Sequence, residues 1–237
     1  MTALSALIFD VDGTLAETEE VHRQAFNAAF AEAGMDWNWD QALYGELLKV
    51  TGGKERILHH AARIGMSRID APALHARKTV FYNQQVRDRV IALRPGVEAL
   101  IRGARTAGLR LAIATTTSRA NIESLLAATL GEESLGWFDA LCCGEDVARK
   151  KPDPEVYVLA LKILGLPADA CLAFEDTANG LKAATGAGLR TLITPSLYSA
   201  GENFGGAEII IRDLADLGRN PAAGALERGL AALAGRV

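Results

Sequence analysis

The chain has 237 residues, a net charge of −4 and a hydrophobic content of 49%. That length supports one or two compact domains with a true core, and the apolar content excludes an intrinsically disordered chain. The mildly acidic balance, without a long basic block, argues against nucleic acid or an anionic membrane as the main partner.

The N-terminus, Met1-Thr2-Ala3-Leu4, lacks a basic segment, a long apolar stretch and a small-residue cleavage site. No signal peptide is read there, so a cytoplasmic protein is expected. No apolar run approaches the roughly 18 residues of a membrane span. Residues 3–9 (ALSALIF) form a short apolar run that ends at Asp10 and suits a buried strand. From about residue 16 to 90 the periodicity is helical, with no convincing strand. Val21, Ala25, Ala28, Ala29 and Ala33 share one face of a helix that Gly34 can end. Ile57, Leu58, Ala61, Ala62 and Ile64 mark a second helix, and Leu74 to Val90 a longer third with a polar face.

Pro95-Gly96 then opens a helix over Val97–Thr106, with Gly108 as its stop. Strands are expected at 109–114, 140–143, 170–174 and 189–193, and helices at 121–130, 154–164 and 179–187. Past Pro195 an edge strand is expected at 208–211 and an amphipathic helix at 222–234. Strands alternating with helices predict a parallel sheet covered on both faces. The expected fold is α/β: a Rossmann-like core of residues 1–15 and 91–237, with an all-helical domain inserted at 16–90. Cys142, Cys143 and Cys171 lie in or beside apolar runs and form no Cys-x-x-Cys pair, so buried, reduced thiols are expected. Tyr44, Trp37, Trp39 and Trp137 read as packing residues, and His59-His60 as helix surface.

The chemistry-bearing residues gather at the strand ends. Asp10 and Asp12, Thr115, and Glu175-Asp176 fall at or just after the C-terminal ends of apolar runs, and Lys151 follows the loop after Cys143. In open α/β sheets that edge is where ligands bind. Crowded carboxylates repel one another and need a cation. Hard oxygen donors favour Mg²⁺ over zinc, which makes Asp10, Asp12, Glu175 and Asp176 the candidate metal ligands. Phosphoryl transfer gives each group a role. Asp10, at a strand tip, attacks phosphorus to form an aspartyl-phosphate. Asp12, two residues on and in a turn, gives a proton to the leaving oxygen and later takes one from water. The Thr115 hydroxyl and the Thr116 backbone N–H hold the transferring phosphoryl oxygens, and Lys151 neutralises nucleophile and phosphate. Mg²⁺ lets the two anions approach.

These residues resemble a known family. Asp10-Val11-Asp12-Gly13-Thr14 is similar to the first motif of the haloacid dehalogenase-like superfamily, Thr115 to its second, Lys151-Pro152 to its third and Glu175-Asp176-Thr177 to its fourth. The third motif here has adjacent lysines; Lys151 directly precedes the proline, as in the family, which leaves Lys150 to the rim. The helical insert resembles the type I cap of the phosphoglycolate phosphatase and β-phosphoglucomutase branch. In that likeness Glu17, Thr18 and His22 resemble residues that face the substrate. Gly52-Gly53-Lys54 resembles the cap loop that grips a non-reacting phosphate or sugar, and Lys78 holds a similar place on a later helix. Gly52-Gly53-Lys54 is no P-loop, because Glu55 follows and the glycine spacing fails.

Within the superfamily the chain is similar to the CbbY-like phosphatases. That likeness implies hydrolysis of xylulose 1,5-bisphosphate, an inhibitory by-product of Rubisco, to xylulose 5-phosphate and phosphate. A cap lysine argues for a second anionic group on the substrate. A sugar phosphomutase would use the same aspartyl-phosphate, and the motifs do not separate the two. A receiver-type phosphorylation switch also arranges Asp, Thr and Lys around Mg²⁺, but it is about half this length and carries its acidic pair before the phosphorylated strand. The expected partner is a small sugar phosphate or bisphosphate, with no nucleic acid and no membrane, acted on by a monomer.

Overall fold

The computed structural model describes residues 3–88, 91–219 and 224–235. Five strands, β1 (Ala6–Phe9), β2 (Arg110–Ala114), β3 (Ala140–Cys142), β4 (Cys171–Glu175) and β5 (Arg190–Ile193), and a short β6 (Ile209–Ile210) form a parallel sheet in the order β3-β2-β1-β4-β5-β6. The chain leaves β1 toward β2 on one side and reaches β4 on the other. That reversal is the switch point at which such sheets open a ligand crevice.

All four residues of β1 are buried, as a central strand covered on both faces requires. Alternation along the strands divides the core. Leu7, Phe9, Leu111, Ile113, Leu172 and Phe174 pack on one face. The helices above that face are α5 (Val97–Thr106), α6 (Arg119–Leu130) and α9 (Ala225–Leu233). Ala6, Ile8, Ala112, Ala114 and Ala173 line the other, under α7 (Glu155–Leu164) and α8 (Ala178–Gly186). The alanines let the second pair of helices sit close.

Between β1 and α5 the described residues hold helices and no strand: α1 (Glu19–Glu32), α2 (Gln41–Leu47), α3 (Gly53–Arg63) and α4 (Ala71–Asp88). They have a core of their own, built on Phe26, Phe30, Trp39, Tyr44, Leu47 and Ile57. The expected strands and helices are present with ends shifted by a few residues. The exception is α2, which the sequence pattern missed. It is seven residues long, has Gly45 in its interior, and starts where Asp40 Oδ1 accepts from Leu43 N at 2.8 Å. The expected helix ends at 89–90 and 222–223 lie outside the described residues. His60, expected on the surface, is buried against Trp37 and Trp39, its ring centroid 4.7 and 5.4 Å from theirs; only His59 is exposed. Among the described residues, no helix is long and apolar enough to cross a membrane.

Candidate active site

The floor of the site is built on the tips of β1 and β4. Asp10 N donates to Phe174 O at 3.0 Å, which seats the Asp10 side chain beside Glu175 and Asp176. Ligand oxygens of these three buried carboxylates lie within 4.8 Å of one another. Lys151 Nζ donates to Asp10 Oδ1 and to Glu175 Oε1, both at 2.6 Å, and Tyr157 Oη donates to Glu175 Oε1 at 2.7 Å. Lys150 instead donates to the carbonyls of Gly144 and Val147 and holds the loop that presents Lys151.

Close packing here depends on glycine at two positions. Gly13 has φ +80°, and a Cβ on it would stand 2.2 Å from Asp176 Oδ2. A Cβ on Gly180 would stand 1.8 Å from Glu175 Oε2.

The electrostatics follow from burial. Burial raises Asp10 to about 7, with Lys151 opposing and Glu175 adding to the rise. Burial, then Asp10 and Glu175, push Asp176 well above the usual carboxylate range. Burial disfavours the charged form of Lys151, but Asp10 and Glu175 outweigh it and hold the ammonium above the usual lysine range. Fully ionised, the cluster would carry more negative charge than Lys151 offsets. A donor set of three hard carboxylates under that strain suits a hard divalent cation such as Mg²⁺.

Asp12, expected among the metal ligands, lies outside this cluster. Its Oδ1 accepts from Thr18 Oγ1 at 2.5 Å and pairs with His22 Nε2 at 2.8 Å. Lys78 Nζ lies 2.5 Å from His22 Nδ1, so Nδ1 accepts from the lysine and Nε2 donates to Asp12. The His22 ring stacks on Tyr82 with centroids 4.1 Å apart. Burial would raise Asp12, but His22 and Thr18 outweigh it and hold the carboxyl well below its usual range. Burial also brings Lys78 down to about 7. Thr115 follows β2, is buried, and accepts on Oγ1 from Thr117 N at 3.3 Å; Thr116 lines the cavity beside it.

The roof comes from α1, α3 and α4. His22 and Lys78 line the cavity as expected residues, joined by Glu19, Arg56 and His75, which sequence reasoning missed. Two expected contacts are not made. Lys54 is exposed and does not line the cavity; Arg56, two residues on, is buried and does. Glu17 is also exposed and lies 3.6 Å from Arg94 Nε, whereas Glu19 faces inward. Thr18 is fully buried and spends its hydroxyl on Asp12 rather than on the cavity.

Arg56 is held by Leu47 O, 3.2 Å from Nε, and by Tyr44 Oη, 3.1 Å from Nη1; Tyr44 in turn donates to Glu19 Oε2 at 2.7 Å. Tyr44 is thus a packing residue that also orients two polar groups. Burial brings His75 down to about 3, so it stands neutral beside these cations. Burial pushes Cys142 and Cys171 up to about 11 and Cys143 to about 12, so all three are unreactive thiols.

A family model described as haloacid dehalogenase-like hydrolase matches residues 4–188. The CbbY protein of Rhodobacter capsulatus is 52% identical over 213 residues, covering 89% of this chain and 94% of that protein. The plasmid CbbY of Cupriavidus necator is 50% identical over 220 residues, covering 90% and 87%. A crystal structure of CbbY from Rhodobacter sphaeroides in complex with phosphate matches with a TM-score of 0.86 and 46% identity, over 91% of this chain and 96% of that one. A D10N mutant of the same protein, in complex with xylulose-(1,5)bisphosphate, matches equally well.

Proposed function

The chain belongs to the haloacid dehalogenase-like hydrolase family, and on that premise we propose that it is a Mg²⁺-dependent phosphatase of xylulose 1,5-bisphosphate. The observation that carries the reading is the pairing of Asp10 with Lys151 beside two further buried carboxylates, at the tip of the central strand. Its support from outside the chain is the bisphosphate complex of a protein 46% identical to it.

Asp10 is the nucleophile: a carboxylate oxygen bonds to phosphorus as the ester P–O bond breaks, which leaves an aspartyl-phosphate and an alcohol. Asp12 supplies the alcohol's proton, which reaches it along the Lys78–His22–Asp12 chain. In the second step Asp12, ionised again, takes a proton from the water that attacks phosphorus and frees Asp10. Thr115 and the Thr116 N–H hold the phosphoryl oxygens, and Lys151 offsets charge on both nucleophile and phosphate. Asp10, Asp176 and Glu175 would hold Mg²⁺, which offsets the negative charge of the phosphoryl group against that of the nucleophile.

Helices α1–α4 serve as a cap over this floor. Arg56 supplies the positive charge for the phosphate that stays, while Lys78 is engaged by His22, and Glu19 and His75 face sugar hydroxyls. The reaction takes place in the cytoplasm, where unreactive reduced thiols are at home.

Phosphate release with Mg²⁺, across xylulose and ribulose 1,5-bisphosphates, glucose phosphates and p-nitrophenyl phosphate, tests the reading. Preference for xylulose 1,5-bisphosphate is expected. Indifference among the sugars rejects the substrate. Isomer formation from β-glucose 1-phosphate without phosphate release rejects the phosphatase.

A further inference from the structure

The segment after β5 makes two sets of contacts at once. Toward the sheet, Ser199 Oγ donates to the Asp176 carbonyl at 2.6 Å, and Ser196 N donates to Ser199 Oγ at 2.8 Å. Both serines are buried. Toward the helical unit, Tyr198 Oη donates to Glu20 Oε2 at 3.0 Å, at the start of α1. The Tyr198 ring stands edge-on to Tyr44 at 5.7 Å and 81°. The ring packs over Gly45. Tyr44 is the residue that bonds Glu19 and Arg56. The path therefore runs from the Asp176 backbone, through Ser199 and Tyr198, to the two polar groups of the roof.

We propose that Tyr198 is a positioning residue that couples closure of α1–α4 over the site to the placement of the roof groups Glu19 and Arg56. The inference rests on reading those helices as a cap. Its contacts are of a kind that can part and re-form. Glu20 is partly exposed and ionised, since hydrogen bonds from Arg23 hold it down at about 2. A second contact across the same seam is also polar: Asn179 Nδ2, on α8, donates to Lys49 O at 3.3 Å. Ser199, bonded to the Asp176 carbonyl, anchors the backbone beside Tyr198 to the sheet.

Tyr198→Phe removes only the hydroxyl, and Glu20→Gln removes the charge that accepts it. A hydrogen bond to a charged group at a partly exposed position sets the effect at about tenfold. We expect Tyr198→Phe to raise KM for xylulose 1,5-bisphosphate about tenfold. Its kcat/KM for p-nitrophenyl phosphate, which has no second phosphate for the roof, should stay within twofold. Glu20→Gln should behave alike, and the double variant should be no worse than either single one. Equal losses on both substrates, no loss on either, or additive losses would overturn the proposal. Hydrogen exchange of Gln41–Leu47 in the unliganded protein gives a readout that does not depend on the substrate. Faster exchange in Tyr198→Phe supports the coupling even if the bisphosphate proves to be the wrong substrate, and unchanged exchange rejects it.

Discussion

Replacing Lys151 with methionine isolates what its ammonium does. The methionine stem keeps most of the packing over Tyr157, whose ring centroid lies 5.0 Å from Nζ. What is lost is the positive charge that faces Asp10 and Glu175 at 2.6 Å each. Removing one partner of a buried ion pair costs about 3–5 kcal/mol, because the other charge stays buried and uncompensated. For a chain of this size each kcal/mol moves Tm by about 2–4 °C, so the metal-free variant should melt about 6–20 °C lower near pH 8.

The deficit has a predicted sign in pH. Asp10 is already raised from 3.8 to about 7, and it rises further without the ammonium. A carboxyl with a raised folded pKa binds a proton that the unfolded chain has released, so stability falls as pH climbs through that window. The deficit relative to wild type is therefore largest near pH 8 and shrinks toward pH 5, where the carboxyls protonate. Thermal melts in EDTA at both pH values measure it, alongside a phosphate-release assay in which kcat should fall at least 10³-fold, roughly the scale for a charged group lost from the reacting centre. A deficit that is constant with pH, or larger at pH 5, would refute Lys151 as the counter-charge of the cluster.

Asp10→Asn should lower kcat by more than about 10⁴-fold while phosphate or bisphosphate still binds, measured by single-turnover release and calorimetry; retained multiple turnover would remove Asp10 as nucleophile. Mg²⁺ at about a hundred times its Kd should stabilise the wild type by about 2.7 kcal/mol, and EDTA should abolish activity. In Asp176→Asn the Mg²⁺-induced rise in Tm should shrink to a small fraction, and an undiminished rise would place the ion elsewhere. Arg56→Gln should raise KM for the bisphosphate by about 10–100-fold, the worth of a charge-assisted hydrogen bond, and leave p-nitrophenyl phosphate hydrolysis within about twofold. Lys54→Ala should change neither substrate, and a large loss there would return the second-phosphate role to the loop lysine.

The core was legible because its signals are local. A run such as ALIF is buried on both faces, and the residue after it must emerge at the sheet edge, so Asp10 could be placed from four neighbours. The same holds for Thr115 after β2 and for Glu175 at the end of β4. Lys151 has no strand to announce it. It enters the site through a loop that Lys150 pins to the Gly144 and Val147 carbonyls, and only its place before Pro152 distinguished it from its neighbour. Ser199 and Tyr198 left no signal at all, since their contacts join segments more than twenty residues apart in sequence.

The cavity-lining groups of the roof were less legible, because they depend on contacts between helices. At 100° per residue, Lys54 and Arg56 stand 200° apart around α3. The buried face of that helix is set by Arg56, Ile57, His60 and Ala61, an i, i+1, i+4, i+5 pattern. Lys54 falls off one flank of the face with exposed Leu58, while Arg56 falls within it. The apolar pair Ile57 and Ala61 centres its stripe about 40° from Lys54 and about 120° from Arg56. Phase alone therefore does not pick out the arginine; Leu47 O and Tyr44 Oη hold it inward, and neither can be read from α3 itself. On α1, by contrast, phase is informative. His22, Phe26 and Ala29 are buried at i, i+4 and i+7. Glu19 lies three residues before His22 on that stripe and faces the cavity, whereas Glu17 precedes the helix and turns outward to Arg94. On this helix the groups that line the cavity, Glu19, His22 and Phe26, are those in phase with the buried stripe.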